Sequence, residues 1–219
     1  MKSGIQNEKA EVGTLVCFAL EEEAAPFRKL AMKIPDVTIL ITGIGRRNAE
    51  NSLRRFLAKN LPKLVLTCGF AGGLNPELKC GDVVYITGYA ALEERLQDTA
   101  AVHASFFSAP RIATTVAEKQ QLRTQTGADV VEMESGAILA VCRENRIPSA
   151  MVRTISDTAH ENLPLDFNVL SKPDLSLDYG KLAWAIAKAP WKIGALIELH
   201  RKTSFAAQQL ANVLAKLIW

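Results

Sequence analysis

The stretch GADVVEMESGAI, residues 127–138, joins a short apolar run to a helix-like segment and so indicates how the chain folds. Val130 and Val131 are typical of a buried strand, and the helical pattern begins at Glu134. A strand that leads directly into a helix is the unit from which α/β proteins are built. The acids Glu132 and Glu134 have an ordinary explanation, because carboxylates favour the first turn of a helix near the positive end of its dipole. The junction alone therefore predicts an α/β element and assigns no function to its acids.

The same alternation extends along the chain. Apolar runs typical of strands occur at residues 14–20, 37–42, 64–67, 82–87, 111–116, 128–133 and 149–155. Helical patterns occur at residues 21–33, 46–60, 117–125 and 134–145, and from about residue 179 onward with a break near Pro190. We interpret CGFAGGLNP (68–76) as a glycine-rich turn and SDTAHENLP (156–164) as a polar loop.

This order of segments predicts one α/β domain over residues 1–219, with a central mixed, twisted sheet flanked by helices. Residues 1–12 are predicted to be flexible, and residues 179–219 to form a helical C-terminal part.

The composition is that of an ordinary globular protein. Apolar residues make up 48% and charged residues 22% of the 219 residues. The net charge is +3, and the basic residues are spread along the chain, whereas a nucleic-acid groove usually shows clustered Lys and Arg. We therefore expect no nucleic-acid partner.

The cysteines and the N-terminal segment predict a cytoplasmic location. The four cysteines are far apart and form no CxxC pair, and the chain has three histidines, so buried reduced thiols are favoured over a zinc site. The segment MKSGIQNEKAEVG is polar, and no apolar run approaches the roughly 20 residues that span a bilayer. The sequence thus predicts a protein that is soluble or at most peripheral to a membrane. The cysteines are Cys17, Cys68, Cys80 and Cys142.

Polar or glycine-rich segments lie at five of the predicted strand ends. They are EEE (21–23), TGIG (42–45), CGFAGG (68–73), EMES (132–135) and SD (156–157). In open α/β sheets, ligands bind outside the carboxyl ends of the strands. The five segments together predict a binding site more strongly than any one of them, and they favour a functional role for the acids of EMES.

The segment ITGIGRRN (41–48) partly matches a dinucleotide-binding turn but lacks its defining residues. The GxGxxG pattern needs glycine where this chain has Asn48, and no acid ends a second strand about 20 residues later. We therefore exclude a nicotinamide cofactor. A turn whose backbone amides face an anion or a sugar hydroxyl fits the segment, with help from Arg46 or Arg47, and so does a helix start with solvated arginines.

Several segments, in order and spacing, resemble the nucleoside phosphorylase/nucleosidase superfamily. They are ALEEEAAPFRKL (19–30), ITGIGRRNAENSL (41–53), LVLTCGFAGGLNPELKCGDVV (64–84) and DVVEMESGAILAVCRENRIPSAMVRTISDTAH (129–160). The first half of the chain is similar to the methylthioadenosine/S-adenosylhomocysteine nucleosidases. The resemblance implies an enzyme that hydrolyses the N-glycosidic bond of an adenine nucleoside with a 5′-substituent, with no metal and no organic cofactor.

The resemblance also implies roles for individual residues. Glu23 matches the group that activates the attacking water, Glu134 the carboxylate that binds the ribose hydroxyls, and Asp157 the residue that protonates the leaving purine. Met133 would pack under the sugar, and Glu132 would be either a second sugar contact or a support. The further implied substrate-binding positions are Phe70, Ala71, Gly72 and Ser156.

These residue types fit the chemistry of such a cleavage, which builds positive charge on the sugar and negative charge on the leaving base. Asp157 must then hold a proton near neutral pH, which burial would favour. Ionised Glu134 would stabilise the cationic sugar, and Glu23 would take a proton from water, a division of labour that glycosidases also use. Each acid also has a purely structural explanation: Asp157 could cap a helix, and Glu23 could be an exposed first-turn acid like Glu21 and Glu22.

Three features of the sequence bear on the 5′-substituent of the substrate and leave its identity open. Phe70 stands where these nucleosidases usually carry a small serine, and the segment 88–128 is short, with RIATT (111–115) where the family supplies an aromatic to the base. The tail 178–219 looks like that of the hopanoid-associated branch, whose proposed substrate is an adenosyl-lipid. Its Trp184 and Trp191, interleaved with lysines, could lie at a membrane interface or belong to amphipathic helices that pack on the sheet.

Two other functions stay open at this point. A phosphorylase would make the same cleavage with phosphate, which Arg46 would bind, although EEE occupies the region where phosphorylases place a glycine and an arginine. A non-catalytic nucleoside sensor would keep the pocket, and the complete set of Glu23, Glu134 and Asp157 argues against it. We expect a small-molecule nucleoside as the partner, and a homodimer or higher homo-oligomer in which a second copy completes the pocket.

Overall fold

The computed structural model describes residues 9–172, 175 and 178–218. The prediction of a flexible segment at residues 1–12 falls largely outside these residues. The strands are β1 (Ala10–Phe18), β2 (Val37–Ile41), β3 (Asn60–Gly73), β4 (Val83–Thr87), β5 (Val102–His103), β6 (Phe106–Ser108), β7 (Val130–Glu132) and β8 (Ser149–Asp157). The helices are α1 (Glu21–Ala31), α2 (Arg46–Leu57), α3 (Ala90–Gln97), α4 (Val116–Thr126), α5 (Ser135–Glu144), α6 (Phe167–Leu170), α7 (Tyr179–Lys188) and α8 (Ile193–Ile218), with a 3-10 turn at Pro190–Lys192 between the last two.

Within the described residues, the strands form one mixed sheet, as the sequence predicts. The main path runs β2-β1-β3-β8-β4-β5, with β7 paired to the end of β3 and β6 paired to β7. Strands β2, β1, β3 and β8 run parallel to one another. Strand β4 is antiparallel to β8, and β7 is antiparallel to β3. The carboxyl ends of β1, β2, β3 and β8 therefore lie at the same edge of the sheet.

Helices cover both faces of the sheet because the side chains of a strand alternate between its faces. In β1, Val16 and Phe18 pack into the core that is covered by α1 and α8. The intervening Leu15 and Cys17 pack into the core that is covered by α2 and α5. Each of these four helices presents apolar residues to the core that it covers, for example Phe27 of α1. The alternation of apolar runs and helical segments in the sequence thus predicted the fold class correctly.

The predicted strand at residues 111–116 is wrong. Thr115 is the N-cap of α4, and its hydroxyl accepts a hydrogen bond from the Glu118 amide while the Glu118 carboxylate accepts bonds from the amides of Thr114 and Thr115. This capping box starts a helix and ends any extended run before it. The β-branched residues of RIATT had suggested a strand, and the cap outweighs that preference.

The predicted turn (68–76) and loop (156–164) both begin as strand, whereas residues 74–76 and 158–164 connect elements as predicted. CGFAGG belongs to β3, which continues for 14 residues to Gly73, and the SD pair ends β8. Both segments continue because each has partners on the sheet: Gly72 of β3 pairs with Asp157 of β8 on one side and with Val131 of β7 on the other. The chain does not turn at these glycines, and because glycine has no side chain, they leave space beside the strand.

The other sequence-based expectations have mixed outcomes. Cys17, Cys68 and Cys142 are buried free thiols as predicted, whereas Cys80 is only half-buried. The C-terminal part is helical and is interrupted at Pro190, as predicted. None of the helices in the described part of the chain is long and apolar enough to cross a bilayer.

Replacing Gly69 by alanine should destabilise the fold. Gly69 has φ +144°, and an added Cβ would lie 2.4 Å from Nη1 of Arg153 and 2.6 Å from Oε1 of Glu23, two buried side chains. We expect the free energy of unfolding in urea to fall by about 2–5 kcal/mol. Gly88→Ala is the matched control, because no heavy atom lies within 4 Å of its added Cβ, and its effect should stay below about 0.5 kcal/mol. Equal losses in the two variants would contradict this account of Gly69.

Candidate active site

The residues singled out by the sequence meet where β3, β7 and β8 end. The last residues of β3, Phe70–Gly73, run between β8 and β7. Asp157 ends β8, and Glu132 ends β7 just before Glu134. Glu23 joins them from the first turn of α1, through a hydrogen bond to the Phe70 amide. One edge of the sheet therefore carries all four acids.

Glu23 is buried and is held entirely by backbone amides. Its Oε2 accepts hydrogen bonds from the amides of Ala19 and Leu20, each at 2.9 Å, and its Oε1 accepts one from Phe70 at 2.8 Å. Burial raises the pKa of Glu23 to about 7, although the nearby Arg153 charge and the hydrogen bonds act in the opposite direction. The alternative of an exposed first-turn acid is therefore wrong for Glu23, whose side chain is poised to exchange a proton near neutral pH.

Arg153 lies at the centre of the acidic group and was not identified from the sequence. It is 1% exposed, and its Nη2 lies 3.0 Å from Oε2 of Glu132 and 3.5 Å from Oε2 of Glu134. It also donates to the Ser135 hydroxyl at 2.7 Å and to the Cys68 carbonyl at 2.9 Å. One guanidinium therefore offsets the charge of several buried carboxylates. A single charged residue in the apolar run SAMVRTI was the available signal for it.

Glu132 mainly supports the strand-to-helix junction. Its Oε2 accepts hydrogen bonds from the amides of Glu134 at 2.8 Å and Ser135 at 2.7 Å, and so fixes the start of α5. Its Oε1 is buried and has no hydrogen-bond partner within the described residues. A buried carboxylate oxygen without a donor is costly, and because the Glu132 side chain is 0% exposed, it supports the site rather than lining it.

Glu134 faces the glycine turn that precedes α2. Its Oε1 accepts a hydrogen bond of 2.8 Å from the amide of Gly45, a residue with φ +87°. Burial raises the pKa of Glu134, which the Arg153 charge opposes and the Glu132 charge reinforces. Arg46, the residue after Gly45, is exposed and lies close to the start of α5. Its Nη2 atom would be 3.6 Å from a Cβ added at Gly136. The TGIG turn and the EMES acids, distant in sequence, thus form one wall of the site.

Asp157 carries two hydrogen bonds from its surroundings and does not cap a helix. Its Oδ1 accepts a bond of 2.6 Å from the Ser156 hydroxyl, and its Oδ2 lies 2.5 Å from Nζ of Lys119. Lys119 is completely buried. The sequence argument considered burial alone, and the structure adds a buried ammonium group in direct contact with the carboxyl group. Lys119 comes from the polar segment AEKQQLRTQ, where nothing distinguishes it from a solvated lysine.

The remaining predicted positions line the same edge. Met133 is 9% exposed and lies between the two glutamates in the chain, and Ala71 is buried. Phe70 is half-buried. Gly72 adjoins Asp157: a Cβ added there would lie 3.4 Å from the Asp157 Oδ2 atom and 3.2 Å from Cγ1 of Val131, so a larger side chain would crowd this part of the site.

The arrangement separates charge across a narrow glycine strand. On one side, Glu23, Glu132 and Glu134 provide more negative charge than Arg153 alone can offset, which favours a cationic group. On the other side, Asp157 with Lys119 presents a hydrogen-bonding pair that can neutralise an anionic group. Such a site is suited to breaking a polar bond whose two fragments develop opposite charges.

Comparisons with known proteins identify a family and relatives of this chain. The family model described as the Phosphorylase superfamily matches residues 23–111 and 99–186. A 5′-methylthioadenosine/S-adenosylhomocysteine nucleosidase of Marinomonas sp. (strain MWYL1) is 29% identical over 170 residues, which cover 60% of this chain and 72% of that relative. A nucleosidase of the same name from Anoxybacillus flavithermus is 29% identical over 167 residues, with 60% and 72% covered.

Solved structures show the same fold. The 5′-methylthioadenosine/S-adenosyl homocysteine nucleosidase of Campylobacter jejuni superposes with a TM-score of 0.68 at 18% identity, covering 94% of this chain and 98% of that one. Futalosine hydrolase of Helicobacter pylori superposes with a TM-score of 0.67 at 16% identity, covering 94% and 97%. At such identities the likeness concerns the fold alone.

Replacing Arg153 by methionine should cost about 3–5 kcal/mol of unfolding free energy, because Glu132 and Glu134 would stay buried without their cation. The loss should shrink as the pH is lowered and the carboxylates take up protons. Urea denaturation at several pH values measures both effects. Arg54→Met is the control, since its ion pairs with Glu50 and Glu144 are exposed and screened by solvent, so its loss should change the stability little. A similar cost for both arginines would contradict the central role of Arg153.

Proposed function

The chain belongs to the phosphorylase superfamily, and on that premise we propose that it hydrolyses the N-glycosidic bond of a purine nucleoside that carries a 5′-substituent, with adenine as the base. The observation that carries this proposal is the buried group of Glu23, Arg153 and Glu134, which faces the Asp157–Lys119 pair across the glycine end of β3. The curated relatives with sequence similarity are nucleosidases, which supports hydrolysis.

The proposed mechanism assigns each acid to one of the developing charges. The ribose lies against Glu134, which accepts hydrogen bonds from its hydroxyls, while Glu132 holds the backbone amides of Glu134 and Ser135 in place. As the glycosidic bond breaks, the negative charge of these carboxylates stabilises the cationic sugar. Asp157 bonds to the purine N7 and reduces the negative charge on the departing base. Gly72 and Ala71 lie beside the base, and Met133 packs under the sugar.

Glu23 is the proposed general base. Its pKa of about 7 lets it take a proton from water and release it again near neutral pH. Its backbone hydrogen bonds fix the carboxylate without involving another ionisable group. No metal and no organic cofactor is needed in this mechanism, because water, acid and base complete the reaction.

Phosphorolysis is the alternative reaction, and the position of Arg46 supports it. The exposed Arg46 is close to the start of α5, where a phosphate ion could accept hydrogen bonds from its guanidinium and from backbone amides. The buried Glu23 opposes this reading, because a carboxylate at the position of the nucleophile repels a phosphate ion. Hydrolysis is therefore the preferred reaction.

The 5′-substituent is proposed to be apolar, and the exposed residues of the C-terminal helices support this choice. Trp184, Trp191 and Ile197 are 63%, 76% and 65% exposed, and Lys188 lies over the Trp184 ring at 3.6 Å. Such a mixture suits a lipid–water interface, where a nucleoside with a long apolar chain would be found. An adenosyl-lipid of the hopanoid pathway is the long-chain version of this substrate. A homodimer remains our expectation for the assembly.

Base release is the measurement that tests the proposed function. We expect free adenine from methylthioadenosine, S-adenosylhomocysteine or an adenosine with an apolar 5′ chain, at the same rate with and without phosphate. Glu134→Gln should lower kcat/KM by at least about 100-fold, because it removes a charge that stabilises the cationic sugar. Glu144→Gln, on the exposed end of α5, is the matched control and should leave the rate unchanged.

Each other result would have a definite meaning. Release only in the presence of phosphate would establish a phosphorylase and shift attention from Glu23 to Arg46. Binding of a nucleoside without release of its base would favour a non-catalytic nucleoside sensor. The preferred substrate in the series would identify the 5′-substituent.

The pH dependence of kcat/KM should reflect Glu23. A general base acts in its ionised form, so kcat/KM should fall as the pH drops below about 7, by roughly tenfold for each further pH unit. Glu23→Gln should abolish turnover, whereas Glu22→Gln, at the exposed neighbouring position, should leave the profile unchanged. A profile that stays flat down to pH 5 would contradict the assignment of Glu23.

A further inference from the structure

Lys119 is a buried cation that neither the sequence analysis nor the family resemblance assigns to a role. Its side chain is completely buried, although its neighbours on α4 are polar. Its ammonium group uses all three of its hydrogens: it lies 2.5 Å from Oδ2 of Asp157 and donates to the carbonyls of Thr158 at 2.6 Å and Glu161 at 3.0 Å. Burying a lysine costs free energy unless its charge is paired, and Asp157 is the only carboxylate that pairs with it among the described residues.

The position of Lys119 is fixed from both ends. On the helix side, the Thr115–Glu118 capping box sets the first turn of α4, just before Lys119. On the strand side, the two carbonyl acceptors, Thr158 and Glu161, lie within four residues after Asp157 in the chain. Because Ser156 donates to the other oxygen of Asp157, the carboxyl group cannot rotate without losing two hydrogen bonds. The lysine therefore determines which face Asp157 presents to the site.

We propose that Lys119 acts through Asp157 as the positioning residue and proton source for the leaving base. This inference rests on the proposed function, and it explains how an aspartate beside an ammonium group can assist a departing anion. Asp157 need not hold that proton in advance, because the ammonium group in contact with it can supply one.

The proton transfer balances as follows. As the C1′–N9 bond breaks, its electron pair moves to the purine. An N–H bond of Lys119 breaks and an O–H bond forms on Asp157, whose proton passes to N7 of the purine. Lys119 is left as a neutral amine and Asp157 as a carboxylate. The attacking water loses a proton to Glu23, and exchange with solvent returns that proton from Glu23 and restores the Lys119 ammonium.

The decisive experiment compares two leaving groups in a Lys119→Met variant. An adenine nucleoside needs a proton on its base, whereas a 4-nitrophenyl riboside with the same 5′-substituent releases a stable anion without one. We expect kcat for adenine release to fall by at least about 100-fold and kcat for nitrophenolate release to stay within about fivefold. Lys202→Met, a nearby lysine that pairs with Glu161 instead of Asp157, is the control and should retain both activities.

A merely structural role would give a different pattern. Loss of both activities in parallel, or no loss of either, would overturn the proposal. The double variant Lys119→Met/Asp157→Asn should be no slower on the adenine nucleoside than Asp157→Asn alone, because the lysine acts only through the aspartate. Additive losses would also overturn it.

Binding gives a readout that does not require turnover. A 9-deazaadenine nucleoside carries hydrogen on N7 and has a carbon–carbon bond in place of the glycosidic bond. Its N7–H should donate to the Asp157 carboxylate, so Lys119→Met should bind it at least about tenfold more weakly than the wild type in calorimetry. Unchanged affinity would overturn the role of Lys119. Lysine-dependent binding in a wild-type protein that releases no base would instead overturn only the proposed hydrolysis.

Discussion

The buried guanidinium of Arg153 is the interaction on which the site depends. Carboxylates rarely enter a protein interior without a cation, because the loss of hydration costs several kcal/mol per charge. Arg153 reaches Glu132 and Glu134 directly and lowers the pKa of Glu23 through space. Burial nevertheless keeps the pKa values of Glu23 and Glu134 above that of a free glutamate, because one guanidinium does not fully offset the loss of hydration. The same charge that allows the acids to be buried thus leaves one of them ready to exchange a proton.

The glycine end of β3 has a complementary role. Gly69 gives room to the Arg153 and Glu23 side chains, and Gly72 gives room to Asp157. With a side chain at Gly69, Glu23 could not approach the strand as it does. The backbone nevertheless stays paired with β7 and β8, so the site gains space without losing the rigidity of the sheet. Rigid placement of charged groups is what electrostatic stabilisation of a reaction requires.

Sequence patterns predicted the layers of this fold and most of the acids, and their failures have physical causes. Alternating apolar runs identify strands such as β1 because both faces of the sheet are covered, so nearly every residue must be apolar. The strand ending in Gly73 was assigned as a turn because glycine usually breaks strands, whereas here pairing on both sides outweighs that tendency. Arg153 was a detectable anomaly in an apolar run. Lys119 was not detectable, since its burial results from contacts between α4 and the end of β8 that no local pattern records.

The central position of β3 also has a consequence for biosynthesis. β3 is complete once residue 73 has been synthesised, and β1 can pair with it as soon as β3 emerges from the ribosome. Its other partners, β7 and β8, begin at residues 130 and 149, so one apolar edge of β3 stays without its native neighbour during much of translation. An open strand edge is a template for pairing with other chains. The segment LVLTCGF (64–70) is therefore the part of this protein whose unpaired strand edge a nascent-chain chaperone would need to protect for the longest time.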